Sequence, residues 1–152
     1  MLETEAKYPV TSVLFACTYN AIRSPMAEAL LKHFHGHRLF VDSVGVREGD
    51  VDPFMVAVMD EIGIDMTRHR PKTFDDLEDT SFDLVVSLSP EAQHRAVELT
   101  RTMACDVEYW NTFDPTIVEG SREARLQAYR DVRDGLQAQI LKHFPVRGGP
   151  TV

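Results

Sequence analysis

One stretch near the start of the chain constrains the fold most. Val13-Leu14-Phe15-Ala16 runs directly into Cys17-Thr18-Tyr19-Asn20-Ala21-Ile22-Arg23-Ser24-Pro25. Four apolar residues without polar alternation predict a strand covered on both faces, the kind found at the centre of parallel sheets flanked by helices. Ser24 then Pro25 predict the N-cap and first position of a helix. The short loop between strand and helix has a cysteine at one end and an arginine at the other. Its backbone N–H groups can curl inward, and the positive end of the following helix adds to their field. Such a cup binds a tetrahedral oxyanion. Thr18, Tyr19, Asn20, Ala21, Ile22 and Ser24 would surround the anion, and Arg23 would grip two of its oxygens with its planar fork.

Cys17 falls at the bottom of this cup. The inward dipoles and the guanidinium favour its thiolate, the reactive form of a cysteine. A thiolate beneath a bound phosphate is placed for in-line attack on phosphorus. A lone cysteine ending a strand would be read as a small buried residue. The combination of strand, Cys-x5-Arg-Ser and helix start favours the nucleophile.

The rest of the chain repeats the strand-then-helix pattern. The first helix, from Pro25 to about His35, carries Ala27, Leu30, Leu31 and Phe34 as a core-facing stripe. Leu39 to Gly45 predicts a second strand, and Asp52-Pro53 starts a second helix with Met55, Val58, Met59 and Ile62 on one side. Residues 64–81 are polar and broken, with a helical turn expected at Phe74 to Leu77. Phe82 to Leu88 predicts the third strand, Ser89-Pro90 the third helix, and Val107 to Trp110 the fourth strand. After a loop at Asn111 to Gly120, the last helix runs from Arg122 to about Phe144 and buries Leu126, Tyr129, Val132, Leu136 and Ile140. Four alternations with right-handed crossovers predict a single α/β domain over 11–144. It is a three-layer sandwich with a four-stranded parallel sheet and helices on both faces. Residues 1–10 read as a loose arm and 145–152 as a frayed tail.

Composition narrows the function. The net charge of −8 opposes binding to nucleic acid or to an anionic membrane, and it requires a phosphate site to be a small, focused pocket. No window approaches ~18 consecutive apolar residues, so no membrane span is expected. The start of the chain lacks the apolar region of a secretory signal. Two cysteines, Cys17 and Cys105, make no disulfide framework and suit a reducing cytoplasm. Cys105 reads as a small buried residue. His33, His35 and His37 straddle a helix end without a completing ligand set, so no metal site is expected. Apolar residues outside the core stripes are few, which predicts a monomer or a weak homodimer.

A thiolate attacking a phosphate ester needs an acid to protonate the departing oxygen. Asp114, followed by Pro115, lies in the loop after the fourth strand, which leaves the same end of the sheet as the Cys17 loop. A small polar residue before proline also starts three helices here, so Asp114 could be one more cap. The long last helix begins only after Ser121, which favours the acid.

Cys17-x5-Arg23-Ser24-Pro25, directly after an apolar strand, resembles the low-molecular-weight protein tyrosine phosphatases and the thiol-dependent arsenate reductases of the same fold. The resemblance spans about residues 11–144. It implies flavodoxin-like winding and a metal-independent phosphomonoesterase that works through a phosphocysteine, with no cofactor, on a phosphorylated protein or a small phosphate ester. It implies Asp114 as acid and then base, a Ser24 hydrogen bond to the Cys17 sulfur, and Asn20 as a brace of the loop. The bend expected at Asn20 suits a residue that tolerates positive φ. Ser43 either bonds Asn20 or is an ordinary strand-end serine. His69, in Thr67-Arg68-His69-Arg70, would order the loop behind the pocket.

Four positions depart from the family pattern. Tyr19 stands where the common loop has glycine, and Ile22 where a second cysteine is frequent. Thr116 stands where phosphotyrosine enzymes carry an aromatic, with Trp110 and Phe113 as nearby alternatives for stacking. Ser89 occupies the place of a relay cysteine in thioredoxin-coupled arsenate reductases. An arsenate reductase that borrows an external thiol, such as glutathione with glutaredoxin or mycothiol, needs only Cys17. It stands as the alternative function, with a non-catalytic phosphate-binding module as a third.

Overall fold

The computed structural model describes residues 10–78 and 81–146. The expected arm and tail lie outside these residues except for 10, 145 and 146. Strands β1 (Ser12–Cys17), β2 (Phe40–Gly45), β3 (Leu84–Ser87) and β4 (Asp106–Tyr109) alternate with helices α1 (Arg23–His35), α2 (Pro53–Asp60), α3 (Pro90–Leu99) and α4 (Arg122–His143). The sheet is parallel throughout, in the order β2-β1-β3-β4. The predicted four-stranded α/β sandwich is the fold.

The unbroken apolar run makes β1 a central strand with every residue buried. Its side chains alternate between two cores. Val13, Phe15 and Cys17 face the layer of α1, α2 and α4, while Leu14 and Ala16 face α3 and the 3-10 turn Phe74–Asp76. Each fully buried Leu or Phe in these layers stabilises the fold by roughly 1.5–3 kcal/mol. The chain runs from β1 to β2 on one side and returns past β1 to β3 on the other. The crevice where strand order reverses therefore opens at the carboxyl end of β1.

Three helix starts follow their expected chemistry. Asp52 Oδ1 accepts from the N–H groups of Phe54 and Met55, Ser89 Oγ from Ala92, and Ser121 Oγ from Ala124. Each such cap is worth about 1 kcal/mol. The fourth start corrects the sequence reading. α1 begins at Arg23 with Ile22 at the N-cap position, and no side chain caps it. In its first turn the Ser24 N–H points instead at the Cys17 sulfur, 3.4 Å away. Pro25 still lies in the first turn, where a missing N–H costs little.

α4 buries the five predicted residues and also Arg133. Arg133 donates to the Val58 carbonyl at 2.7 Å and to Glu61 at 2.8 Å, satisfying an end carbonyl of α2. Arg130 joins Glu61 to Glu123. His35, one of the three clustered histidines, is buried. Its Nε2–H donates to the Phe144 carbonyl at 2.7 Å and its Nδ1 accepts from Arg38 at 2.8 Å, which ties α1 to the end of α4. No helix among the described residues is long and apolar enough to cross a membrane.

Candidate active site

The loop after β1 is turned inside out by its carbonyls. Those of Cys17, Thr18 and Tyr19 accept from the N–H groups of Val46 (3.0 Å), Arg47 (2.8 Å) and Gly49 (3.1 Å), and that of Asn20 accepts from His69 Nε2 at 2.8 Å. In a trans peptide the C=O of one residue and the N–H of the next point in opposite directions, and the described residues contain no cis bond. Four carbonyls held outward therefore aim the N–H groups of residues 18–21 into the cup. Gly45, paired with Cys17 in the sheet, makes room for this arrangement. A Cβ there would lie 2.6 Å from the Asn20 nitrogen and 2.7 Å from the Tyr19 carbonyl carbon.

Asn20 is the hinge pin. Its φ of 56° is the single positive value at a non-glycine among the described residues, as its position at the bend predicted. Its side chain is fully buried and fully used. Oδ1 accepts from the Lys72 N–H at 2.9 Å, which fixes the orientation of the amide. The two hydrogens on Nδ2 then go to Ser24 Oγ and Ser43 Oγ, both at 2.9 Å. Both hydroxyls are thus acceptors toward Asn20 and must send their own protons elsewhere. Ser43 sends its proton to Glu28 at 2.6 Å, while the Ser24 hydroxyl lies 2.9 Å from the Cys17 sulfur and 3.3 Å from the Val44 carbonyl. The open question about Ser43 is settled in favour of the bond to Asn20.

Cys17 is only 2 % exposed, yet it lines a cleft of about 260 Å³. Besides the Ser24 hydroxyl, the Ser24 N–H at the start of α1 lies 3.4 Å from the sulfur. The sulfur thus sits at the N-terminal end of α1, within reach of the hydroxyl and the N–H of Ser24. Arg23, at the first position of α1, is 9 % exposed and lines the same cleft. One of its terminal nitrogens donates to the Thr112 carbonyl at 2.9 Å, leaving the rest of the fork for a ligand. Thr18 is buried and donates to Ser89 Oγ at 3.1 Å. Ser89 therefore spends its hydroxyl on the loop after β1 and on the cap of α3.

Asp114 lines the cleft opposite the loop. The cap and acid readings are compatible. Asp114 Oδ1 accepts from the Thr116 N–H at 3.0 Å and the Thr116 hydroxyl at 2.7 Å, capping the 3-10 turn Pro115–Ile117, and its second oxygen has no such bond. Ala21, Ile22, Tyr19, Gly49, Asp50, Asp52 and Thr116 complete the lining. Asp52 is occupied structurally, since it caps α2 and its Oδ2 accepts from the Tyr129 hydroxyl at 2.8 Å. Burial and that bond to Asp52 push the Tyr129 hydroxyl well above its ordinary pKa. Beside the loop, hydrogen bonding to Arg47 holds the Glu91 carboxyl below the usual range.

Of the predicted residues, Cys17, Arg23, Asp114, Tyr19, Ala21 and Ile22 line one cleft, while Thr18, Asn20 and Ser24 are buried and do not line it. Sequence reasoning missed the parts that act through the backbone: the Thr112 carbonyl under Arg23, the Lys72 N–H on Asn20, and Gly45. Only Gly45 left a readable signal, a glycine ending a strand beside the cup. Cys105 stands apart. It is half-buried, and burial together with Asp106 raises its thiol pKa. Register places it level with the start of β1, about 16 Å from Cys17 along the strand direction, beyond reach of a disulfide.

A profile of the family described as low molecular weight phosphotyrosine protein phosphatase matches residues 12–142. An arsenate reductase of Shouchella clausii is 34% identical over 131 residues, covering 86% of this chain and 92% of that protein. The solved low molecular weight protein tyrosine phosphatase of T. tengcongensis superposes with a TM-score of 0.71 at 26% identity, covering 87% of this chain and 96% of the other. A tyrosine phosphatase of Erwinia amylovora shares the fold, with a TM-score of 0.73 at 20% identity over 91% of this chain and 94% of its own. A family profile that spans the whole sheet, from the first residue of β1 nearly to the end of α4, shows that this chain is an enzyme of the low molecular weight phosphotyrosine protein phosphatase family.

Proposed function

We propose that the protein hydrolyses phosphate monoesters through a phosphocysteine at Cys17. The observation that carries this reading is the meeting, in one cleft, of a cysteine whose sulfur the Ser24 hydroxyl and N–H hold at the start of α1, an arginine, and a carboxyl with an uncommitted oxygen. The inward N–H groups and Arg23 bind the phosphoryl oxygens and stabilise the charge that grows on them in the transition state. The Cys17 sulfur forms a bond to phosphorus as the ester P–O bond breaks, and protonated Asp114 gives its proton to the departing oxygen. Asp114, now a carboxylate, takes a proton from water. The water oxygen attacks phosphorus, the S–P bond breaks, and inorganic phosphate leaves with the thiolate restored. Phosphorylated proteins and small phosphate esters are the substrates of this route, and a reducing compartment such as the cytoplasm keeps the thiolate intact.

A second reading rests on the relatives at 30–34% identity that are named arsenate reductases. Cys17 would displace water from arsenate. An external thiol would then attack the sulfur, releasing arsenite and leaving a mixed disulfide. The thiol must come from outside because Cys105 is out of reach.

The test gives purified protein p-nitrophenyl phosphate without added metal, and separately arsenate with glutathione and glutaredoxin or with mycothiol. Nitrophenol release that disappears in Cys17→Ser is the expected result. Arsenite formation with weak ester hydrolysis would move the assignment to the second reading. Neither activity, with phosphate still bound, would leave a binding module.

A further inference from the structure

We propose that the Tyr19 ring is the wall against which the planar leaving group of an aryl phosphate stacks, so that the loop that binds the phosphate also selects what is attached to it. This rests on the phosphomonoesterase reading. In-line attack by Cys17 places the ester oxygen on the far side of phosphorus, toward the cleft mouth and Asp114. Besides Cys17 and Arg23, the cleft that must hold the leaving group is lined by Tyr19, Ala21, Ile22, Gly49, Asp50, Asp52, Asp114 and Thr116. Tyr19 alone among them offers a flat apolar face, and flat faces attract aromatic rings in offset or edge-on contact.

Its setting fits that task. Its neighbours Thr18 and Asn20 are 9 % and 0 % exposed, whereas Tyr19 is 51 % exposed. The backbone is held rigidly while the ring stands free at the rim. Gly49 supplies the seat. Its N–H donates to the Tyr19 carbonyl at 3.1 Å, and a Cβ at position 49 would lie 2.9 Å from Tyr19 Cβ and 3.5 Å from Cγ. Any side chain there would displace the ring. On the other side of the mouth the turn after Asp114 carries Thr116 and Ile117, so it supplies no aromatic surface of its own.

Binding of phenylphosphonate and methylphosphonate, measured by calorimetry on the wild type, Tyr19→Ala and Tyr19→Phe, tests this. Wild type and Tyr19→Phe should prefer the phenyl compound about tenfold, and Tyr19→Ala should bring the ratio near one. An unchanged ratio in Tyr19→Ala overturns the proposal. So does an equal loss of both ligands, which would mean that Tyr19 only shapes the loop. Phosphonates are not turned over, so this readout is independent of hydrolysis. Failure of the hydrolytic reading would show separately, as p-nitrophenyl phosphate left intact by the wild type.

Discussion

Cys17 ends a strand in which every residue is buried, whereas Asp114 follows β4, an edge strand whose two end residues are exposed. The cup around Cys17 is fixed from three directions: the 45–49 segment, the 69–72 segment and α1. The Asp114 carboxylate is fixed from one, by Thr116 two residues away, through exposed hydrogen bonds. The difference teaches how the work of the cleft is divided. Anion binding and sulfur activation need donors that are rigid before the ligand arrives, because reorganising them during the reaction would cost part of what they stabilise. An acid must hand over a proton and take one back, and a loosely held carboxyl on a surface turn can do both.

The comparison breaks if the two halves respond alike to mutation. Asn20→Ala removes three side-chain hydrogen bonds, strands their partners and places a Cβ residue without local compensation at positive φ. It should destabilise the protein by about 3–5 kcal/mol, read as a lowered urea midpoint, and reduce kcat/KM by at least ~100-fold. Asp114→Asn keeps an oxygen to cap the turn. It should reduce kcat by about 100- to 1000-fold while changing the melting temperature by less than ~2 °C. If Asp114→Asn lost stability on the scale of Asn20→Ala, the acid's half would be as deeply built as the nucleophile's.

A third region sharpens the contrast. Glu61, joining α2 to α4, is held down at about 2 from the usual 4.5 by hydrogen bonds from Arg130 and Arg133. A carboxyl with a depressed folded pKa contributes stability above its unfolded pKa and loses it as pH falls through the folded one. Glu61→Gln should therefore lower stability at neutral pH by less than ~1 kcal/mol, since solvent screens an exposed pair. The gap from wild type should close as the pH drops from about 4.5 toward 2. Its kcat/KM should stay at the wild-type value.

What was legible in the chain was local. The apolar run of β1, the proline-marked starts of α2 and α3, and the positive φ of Asn20 each follow from residues at or beside the position. The misreading of Ser24 marks the limit. A serine before proline carries the local signature of an N-cap, but here a tertiary demand from the Cys17 sulfur takes the hydroxyl and the helix starts earlier. The support of Asn20 by Lys72 and of Arg23 by Thr112 spans 52 and 89 positions through backbone atoms, which carry no residue-type signature. The place of Asp114 at the cleft follows from the loop order, and its cap role was equally readable.

The account turns on a covalent bond between phosphorus and the Cys17 sulfur. Asp114→Asn turning over p-nitrophenyl phosphate, quenched with denaturant and digested, allows that bond to be read by mass spectrometry. One phosphoryl group is expected on the Cys17 peptide, none on the Cys105 peptide, and none at all in the Cys17→Ser protein. Nitrophenol released while Cys17 stays unmodified at every time sampled would contradict it.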